Sequence, residues 1–464
     1  MNRRILSSRP FFLSCLLLIF AILGACASTQ HAKSQVPMTS ETAAVASPSP
    51  PPGANPGDLL VGASRVDISP DHSVMMGGYG IYLLLTAFCR WSEGTHDPLY
   101  ATALYIEKNG QATLFIEFDL VGLVQSDIAD IRKAVTAKTG ISPDRIVVAS
   151  THTHHSPDTV GLWGTILPPV SGRDEPFMQS LRPKAAEAAA AAFKARRPAK
   201  LFYAVGEQSE MHVSDHAKEI KDAPIDHTLT LLKFTGMDGK IIATVLNWGC
   251  HPTSEDRPNR LISADWVGAY YREMRSRSDG IPMYLQASLG AGIVPSDAWR
   301  DRAIGPEGEG QGFRWADAMG KALAVQVTGM MSNMSEANID GIRMATKSIT
   351  VPMMNKTFRL GATLGIFDLP VPKVGEPFMT YVTQVRMGPV AFATMPGEMS
   401  PQLGLEIRKV LDGGAQVLIG LGQDWLGYMI DQKQYADERY AYEKMLCLGP
   451  DLGPAVVQAH RDIF

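Results

Sequence analysis

The chain has 464 residues, of which 45% are hydrophobic and 19% are charged. This ordinary globular composition can form a large core, and the length predicts two or three domains or one large α/β domain. The formal net charge is −4 and the chain has no basic run, which argues against nucleic acid as a partner.

The N-terminus has the pattern of an export signal. Arg3 and Arg4 form a positive start, and Phe11–Leu23 is a short apolar run. A plain transmembrane anchor is the alternative, but this run is shorter than the ~20 residues that a membrane span needs. The letters LGAC that end the run resemble a bacterial lipobox. We therefore predict that residues 1–25 are a lipoprotein signal peptide and that Cys26 is lipidated.

The segment after the signal has the composition of a tether. Residues 26–57 are rich in Ala, Ser, Thr and Pro and include the letters PSPPP, so they bury little and are expected to be disordered. Ala27, rather than an aspartate, follows Cys26, which by resemblance to Gram-negative lipoproteins predicts the outer membrane. We expect a bacterial cell-envelope protein on the periplasmic face that contacts the membrane through its N-terminal lipid.

From Asp58 onward, apolar strand-like runs alternate with helical ones. The predicted strands are 112–121, 146–151, 241–248, 283–287, 390–394 and 417–421. The predicted helices are 126–138, 178–195, 267–276, 313–327 and 402–410. Several strands are nearly continuous apolar runs, which is typical of strands covered on both faces. We therefore expect residues 58–464 to form one large α/β domain, with mixed β-sheets flanked by helices.

Three cysteines lie within this domain, namely Cys89, Cys250 and Cys447. An odd number allows one disulfide with a free thiol, or no disulfide at all. Because none of them belongs to a CxxC pair, the sequence argues against a zinc site made of cysteines.

Three histidines follow the predicted strand at 146–151. His152 and His154 are two residues apart, so in strand geometry both side chains point to the same side, and His155 comes next. Neutral imidazole is a strong zinc ligand, and strand ends are where α/β proteins place ligands. The alternative is a polar loop whose side chains satisfy backbone groups and whose third histidine is solvated.

A polar side chain follows each of three further predicted strands. His251 follows the strand at 241–248, Glu398 follows the strand at 390–394, and Tyr428 lies beyond the strand at 417–421. Two histidines and a glutamate are a common catalytic zinc set. For Glu398 alone, an acid stabilised at a helix N-terminus is the alternative. The repeated pattern predicts a metal site at the carboxyl ends of strands.

Together these segments resemble the neutral ceramidase family, specifically its N-terminal catalytic domain. The segment STHTHHSP is similar to the family motif THTHSGP, NWGCHP to its histidine-proline turn, and MPGEMSPQLGLEIRK to its PGE motif. The opening segments VGASRVDISP and MMGGYG, the segment ISADWVG and the tyrosine-rich GYMIDQKQYADERYAYE also match, in the family's order. The resemblance runs from about Asp58 to the end of the chain at Phe464, so we expect the catalytic domain only, without the immunoglobulin-like domain.

The resemblance implies a role for each site residue. One Zn²⁺ per chain would be bound by His152, His251, Glu398 and Tyr428. His154 would lie beside the metal as a catalytic residue, and Tyr440 would donate a hydrogen bond to the oxyanion of the scissile amide, with Tyr442 as its rival. The implied activity is hydrolysis of an N-acyl amide bond by zinc-bound water, on a lipid or small-molecule amide such as those of sphingolipid metabolism. His155, where the family has serine, is expected to be a bystander.

Two segments depart from the family. The family's Gly-Asp-Val-Ser-Pro turn, whose serine is proposed to assist catalysis, is replaced by SLGAGIVPSD, in which Ser296 and Asp297 are weak substitutes. Its Asn-Arg segment is replaced by MHVSDHAKE, in which His216 or Lys218 replaces the arginine charge only in part, unless the loop is simply solvated. These losses keep two alternatives open: an esterase or lactonase that uses the same zinc site, and a catalytically degenerate lipid-binding protein of the envelope.

Overall fold

The computed structural model describes residue 51 and residues 53–464, except 81, 85, 307–310 and 367–370. The predicted signal peptide, the lipidation site Cys26 and most of the predicted tether lie outside the described residues. Within residues 53–464, no described helix is both long and apolar enough to cross a membrane.

The strands and helices alternate along most of the chain. The strands are β1 (Leu59–Asp67), β2 (Tyr82–Leu84), β3 (Gly94–Thr95), β4 (Tyr100–Lys108), β5 (Gln111–Phe118), β6 (Ile146–Ser150), β7 (Thr165–Leu167), β8 (Arg197–Glu207), β9 (His212–Ser214), β10 (Thr228–Gly236), β11 (Ile241–Trp248), β12 (Leu261–Ile262), β13 (Ile281–Gln286), β14 (Ile293–Pro295), β15 (Ser335–Glu336), β16 (Ile342–Pro352), β17 (Pro377–Met387), β18 (Val390–Thr394), β19 (Glu398–Met399), β20 (Ala415–Ile419) and β21 (Tyr428–Met429). The helices are α1 (Gln125–Thr139), α2 (Glu175–Lys194), α3 (Trp266–Arg277), α4 (Asp297–Ile304), α5 (Gln311–Met330), α6 (Lys356–Thr363), α7 (Pro401–Val410), α8 (Gln432–Ala436), α9 (Ala441–Met445) and α10 (Leu452–Arg461).

Two mixed sheets form the centre of the fold. The large sheet has the order β13-β11-β10-β8-β1-β4-β5-β6, with β15 added beside β8, and the smaller one has the order β16-β17-β18-β20. The pairs β5–β6, β11–β13 and β18–β20 are parallel, and the other pairs in these sheets are antiparallel. Mixed sheets flanked by helices confirm the predicted fold class.

Side chains alternate across the large sheet and so build two cores. In β4, Ala103 and Tyr105 face a cluster shared with α1, α2, α3 and α5. Their neighbours Leu104 and Ile106 face the opposite way, into a cluster shared with β16, β17, β18 and β20, as the two-residue period of a strand requires. A third cluster joins the far side of the smaller sheet to α7 and α10. The layers are therefore helices, large sheet, small sheet, helices.

The predicted elements agree with this structure where the apolar run is continuous. The strands at 241–248 and 390–394 have the predicted bounds, and the five predicted helices begin and end within three residues of the structure. The strand at 112–121 ends earlier, at Phe118, where the side-chain carboxylate of Asp119, rather than a strand carbonyl, accepts the backbone N–H of Tyr100. Cys89, Cys250 and Cys447 are all buried free thiols, so none of them forms a disulfide.

Candidate metal centre

Two histidine turns meet at the carboxyl ends of β6 and β11. The side-chain amide of Gln286, the last residue of β13, donates to the carbonyl oxygens of Thr151, at 3.0 Å, and Cys250, at 2.9 Å. Its oxygen accepts from the backbone N–H of Cys250 at 3.1 Å. Gln286 therefore links the turn that contains His152 to the turn that contains His251.

Backbone carbonyl groups orient both imidazole rings. His152 Nδ1 lies 2.5 Å from the carbonyl oxygen of Val121, and His251 Nδ1 lies 2.7 Å from that of Ile293. A carbonyl only accepts, so each Nδ1 carries a hydrogen, and in the neutral ring the Nε2 atom presents a lone pair. A ring held in this way by its second nitrogen is typical of metal-binding histidines.

The two Nε2 atoms converge on one carboxylate oxygen. His152 Nε2 and His251 Nε2 each lie 3.4 Å from Glu398 Oε2, and all three side chains are at most 5% exposed. Glu398 Oε2 is buried without a hydrogen-bond partner. Burial alone would raise the pKa of Glu398, but the two imidazoles outweigh it and hold the pKa well below its usual range. Burial likewise lowers the pKa of His152, and the Glu398 carboxylate more than reverses that shift.

These residues fit a zinc ion. Ligands at the usual Zn–N and Zn–O distances of ~2.0–2.1 Å stand about 3.3–3.4 Å apart at the corners of a tetrahedron. The 3.4 Å spacings from Glu398 Oε2 to His152 Nε2 and His251 Nε2 match that value. A zinc ion at this position would be a common partner for Glu398 Oε2 and for the Nε2 atoms of His152 and His251.

Tyr428 lies next to the carboxylate because β19 and β21 pair in parallel, with Glu398 opposite Tyr428. Burial, together with the nearby Glu398 carboxylate to which it hydrogen-bonds, raises the pKa of the Tyr428 phenol well above its usual range. Its ring packs edge-on against Tyr442, with centroids 5.7 Å apart. The fourth residue implied by the resemblance is thus adjacent to the other three.

His154 completes the cluster from the other side. Its Nε2 lies 3.3 Å from His152 Nε2, and its ring is edge-on to His251 with centroids 5.5 Å apart. Burial, and then the neighbouring His152 and His251, lower the pKa of His154 well below its usual range. Its Nδ1 is buried without a hydrogen-bond partner. The imidazole is therefore neutral.

The two candidate tyrosines occupy different environments. Tyr440 is buried, and its ring lies 4.4 Å from that of His216, whose Nε2 is 2.8 Å from Glu443 Oε1. Tyr442 is 44% exposed and contacts Tyr428. Since His216 is only 2% exposed, a solvated loop is the wrong interpretation for this residue, although Lys218 beyond it is exposed.

Other residues considered from the sequence have structural partners. Ser296 caps α4 by accepting from Trp299, and Asp297 forms an ion pair with Arg300 at 2.9 Å. The Asp265 carboxylate caps α3 by accepting from the backbone N–H of Trp266. The sequence did not indicate the orienting carbonyl groups, which belong to backbone, and it also missed Gln286. A polar residue at the end of an otherwise apolar strand was the signal for Gln286.

Known proteins resemble this chain in sequence over part of its length. No family model matches the chain. Neutral ceramidase A of Dictyostelium discoideum is 24% identical over 224 residues, and neutral ceramidase B of the same organism is 21% identical over 235 residues. Each match covers 45% of this chain and 30% or 33% of the relative. The chain thus matches about a third of the length of these curated relatives.

Solved structures share the fold over most of the chain. Neutral ceramidase from Pseudomonas aeruginosa superposes with a TM-score of 0.72 at 17% identity, covering 88% of this chain and 74% of that one. A ceramidase complexed with C2 gives a TM-score of 0.69 at 18% identity, with the same coverage. The matched sequences are those of neutral ceramidases, and the chain shares its fold with a solved neutral ceramidase, in agreement with the resemblance of its motifs.

Proposed function

We propose that this chain is a zinc-dependent hydrolase of N-acyl amide bonds, with a ceramide-like lipid as the first candidate substrate. The convergence of His152 Nε2, His251 Nε2 and Glu398 Oε2 carries the proposal. The names of the matched relatives and structures, all ceramidases, support the amide bond as the target.

One zinc ion at this site would be bound by His152, His251, Glu398 and Tyr428. The first three supply the nitrogen and carboxylate donors that zinc prefers. When bound, zinc lowers the pKa of a coordinated water to about 7 and polarises a carbonyl group. Burial of all four side chains excludes bulk water and strengthens the charge interactions within the site.

His154 would transfer the protons of the reaction. Because its imidazole is neutral and close to His152, it can accept a proton from the attacking water and return it to the leaving amide nitrogen. Arg90 donates to the His154 carbonyl at 2.8 Å, and Tyr79 packs edge-on against the ring with centroids 4.9 Å apart. These contacts fix the position from which the proton moves.

Tyr440 would donate a hydrogen bond to the oxyanion, and packing against His216 orients its ring. One such donor is typically worth about 3 kcal/mol of transition-state stabilisation. Tyr440→Phe should therefore lower kcat about 100-fold while zinc content is unchanged. The matched variant Tyr442→Phe should leave kcat near the wild-type value. The opposite pattern would transfer the role to Tyr442.

The central test joins metal content to turnover. His152→Ala and His251→Ala should each lose the zinc of this site and all detectable hydrolysis of ceramide in detergent micelles, because each removes a ligand. His72→Ala, which changes a surface histidine paired with Asp71 and Asp174, should keep both. Metal-free wild-type protein that hydrolyses ceramide at an undiminished rate would refute the zinc mechanism.

Matched esters test which bond is cleaved. Amide and ester substrates with identical acyl chains should show the higher kcat/KM for the amide. A reversed preference would make the chain an esterase or lactonase with the same zinc site. Full zinc content without turnover on either series would instead identify a degenerate lipid-binding protein.

We also propose that the chain is an envelope lipoprotein anchored through Cys26. The support comes from the N-terminal sequence, in which a positive start and an apolar run precede LGAC. Cells fed labelled palmitate should incorporate it into the wild-type chain and not into Cys26→Ser. Outer-membrane fractions should contain the wild-type protein, and equal labelling of both chains would contradict the anchor.

A further inference from the structure

A second group of buried ionisable side chains lies behind the histidine turns. It consists of His155, Glu255 and Asp265, each at most 1% exposed. One nitrogen or oxygen atom from each of these residues lies within 4.8 Å of the other two. None of the three belongs to the ligand set proposed for the first site.

The tautomer of His155 directs a lone pair into this group. Its Nε2 lies 3.5 Å from the carbonyl oxygen of Asp256, which can only accept, so this nitrogen carries the hydrogen. The other nitrogen, Nδ1, is buried without a hydrogen-bond partner and lies 3.7 Å from Asp265 Oδ2. Burial, and then Arg90, lower the pKa of His155 well below its usual range. A neutral imidazole and a carboxylate thus direct lone pairs at each other, which is unfavourable unless a positive charge lies between them.

Burial, and then the neighbouring Asp265, raise the pKa of Glu255 well above its usual range, and the charge of Arg90 offsets this only in part. In the part of the chain that the structure describes, no lysine or arginine forms an ion pair with Glu255 or Asp265. The single hydroxyl of Ser263 lies 3.0 Å from Glu255 Oε1 and 2.7 Å from Asp97 Oδ2. Asp97 Oδ2 also lies 2.9 Å from His96 Nδ1, and Glu255 Oε2 accepts from the Asn259 amide at 2.9 Å. Glu255 therefore accepts hydrogen bonds from neutral side chains. Buried carboxylates in such an arrangement are usually paired or bind a metal.

We propose that His155, Glu255 and Asp265 bind a second divalent cation, separate from the one at His152 and His251. One imidazole nitrogen with two carboxylates suits zinc and related transition ions better than magnesium or calcium, which take oxygen ligands. The proposal goes beyond the hydrolase activity and does not depend on it.

The second cation would connect the two histidine turns. His155 follows His152 and His154 on one turn, and Glu255 lies four residues after His251 on the other. Asp265 already receives the backbone N–H of Glu255 at 2.9 Å, which holds the second turn against α3. A cation bound to all three side chains would fix the distance between the turns and hence between the two zinc-binding imidazoles.

Zinc stoichiometry tests the proposal. The full-length protein is loaded with Zn²⁺, passed over a chelating resin and analysed by mass spectrometry for zinc per chain. Wild type should retain about two equivalents, and His155→Asn and Glu255→Gln should each lose about one while His152→Ala loses the other. His460→Gln is the matched control, because His460 is equally buried but bonds to Gln384 and Thr394 through its two nitrogens, and it should keep both.

Crystals of the wild-type protein give a test that does not depend on any variant folding. Anomalous diffraction at the zinc edge should show two peaks, one of them between His155, Glu255 and Asp265. A single peak at His152, His251 and Glu398 would overturn the second site and leave the proposed function intact. A folded His155→Asn that retains both equivalents would overturn it equally. Failure of the hydrolase proposal would appear instead as turnover by metal-free protein.

Discussion

Gly78 offers a way to displace His154 without touching the proposed zinc ligands. Its φ is +105°, and a Cβ added there would lie 2.4 Å from both Cβ and Cγ of His154. Ordinary van der Waals contact begins at 3.4 Å, so in Gly78→Ala the two segments must separate by about 1 Å. A 1 Å misplacement can cost about 100-fold in rate. We therefore expect kcat/KM to fall about 100-fold, or about 2.7 kcal/mol in activation free energy, with zinc content unchanged.

A second glycine provides a control that separates the effect of backbone strain from the displacement of His154. Gly110 also has a positive φ, +74°, but an added Cβ would meet no atom within 4 Å. Gly110→Ala should lose about 1–2 kcal/mol of unfolding free energy, because an L-residue is strained in this region. Gly78→Ala should lose more, because the overlap with His154 adds the cost of overpacking. Only Gly78→Ala should lose activity.

The assay combines steady-state hydrolysis of ceramide in micelles, zinc per chain and urea unfolding for both variants. Wild-type kcat/KM in a folded, zinc-loaded Gly78→Ala would refute the role of His154 or the rigidity of its turn. Loss of zinc along with activity would show that the displacement reaches His152 and is not confined to His154.

Two further predictions concern stability. Arg132 is buried and donates to the Ile146 carbonyl, the Tyr381 hydroxyl and Gln423 Oε1, so Arg132→Leu should lower the urea unfolding free energy by about 3–5 kcal/mol; a loss under 1 kcal/mol would contradict this. Burial lowers the pKa of His460 to about 4, so the unfolded chain binds a proton that the folded chain does not. Stability should fall by up to about 3 kcal/mol as pH drops from 6.5 to 4, and His460→Gln should flatten that part of the pH profile; an unchanged slope would refute it.

Some strands buried on both faces could be located from sequence, because burial leaves a continuous apolar run. The strands β11 and β18 have the predicted bounds for this reason. Other long strands were missed, among them β4, β8, β10, β16 and β17. In β16 exposed residues interrupt the run, and β17 contains the buried polar residues Thr383 and Gln384, whose partners are distant in sequence. Polar groups satisfied by long-range contacts cannot be distinguished from loop residues by periodicity.

The site residues could be proposed from sequence because each one follows its own strand, but their supports could not. The hydrogen bonds that orient His152 and His251 come from the carbonyl groups of Val121 and Ile293, and any residue type offers that group. The carboxylates of Asp119 and Asp265 form other contacts: Asp119 accepts the backbone N–H of Tyr100, and Asp265 caps α3. Backbone carbonyl groups orient the two histidine rings, and because every residue has such a group, the sequence cannot indicate which ones do so.

His155 shows how a residue can be misjudged when its motif is read alone. Beside His152 and His154 it is an extra histidine where the family has serine, and a solvated bystander was the simple interpretation. It is instead fully buried, with one nitrogen fixed by a carbonyl and the other directed at Asp265. Because Glu255 reaches the same group from the turn after His251, each histidine turn contributes to both clusters. An ion bound by His155, Glu255 and Asp265 would therefore restrain both histidine turns. The distance between His152 and His251, which lets the first cluster fit zinc, would then depend on the second cluster as well.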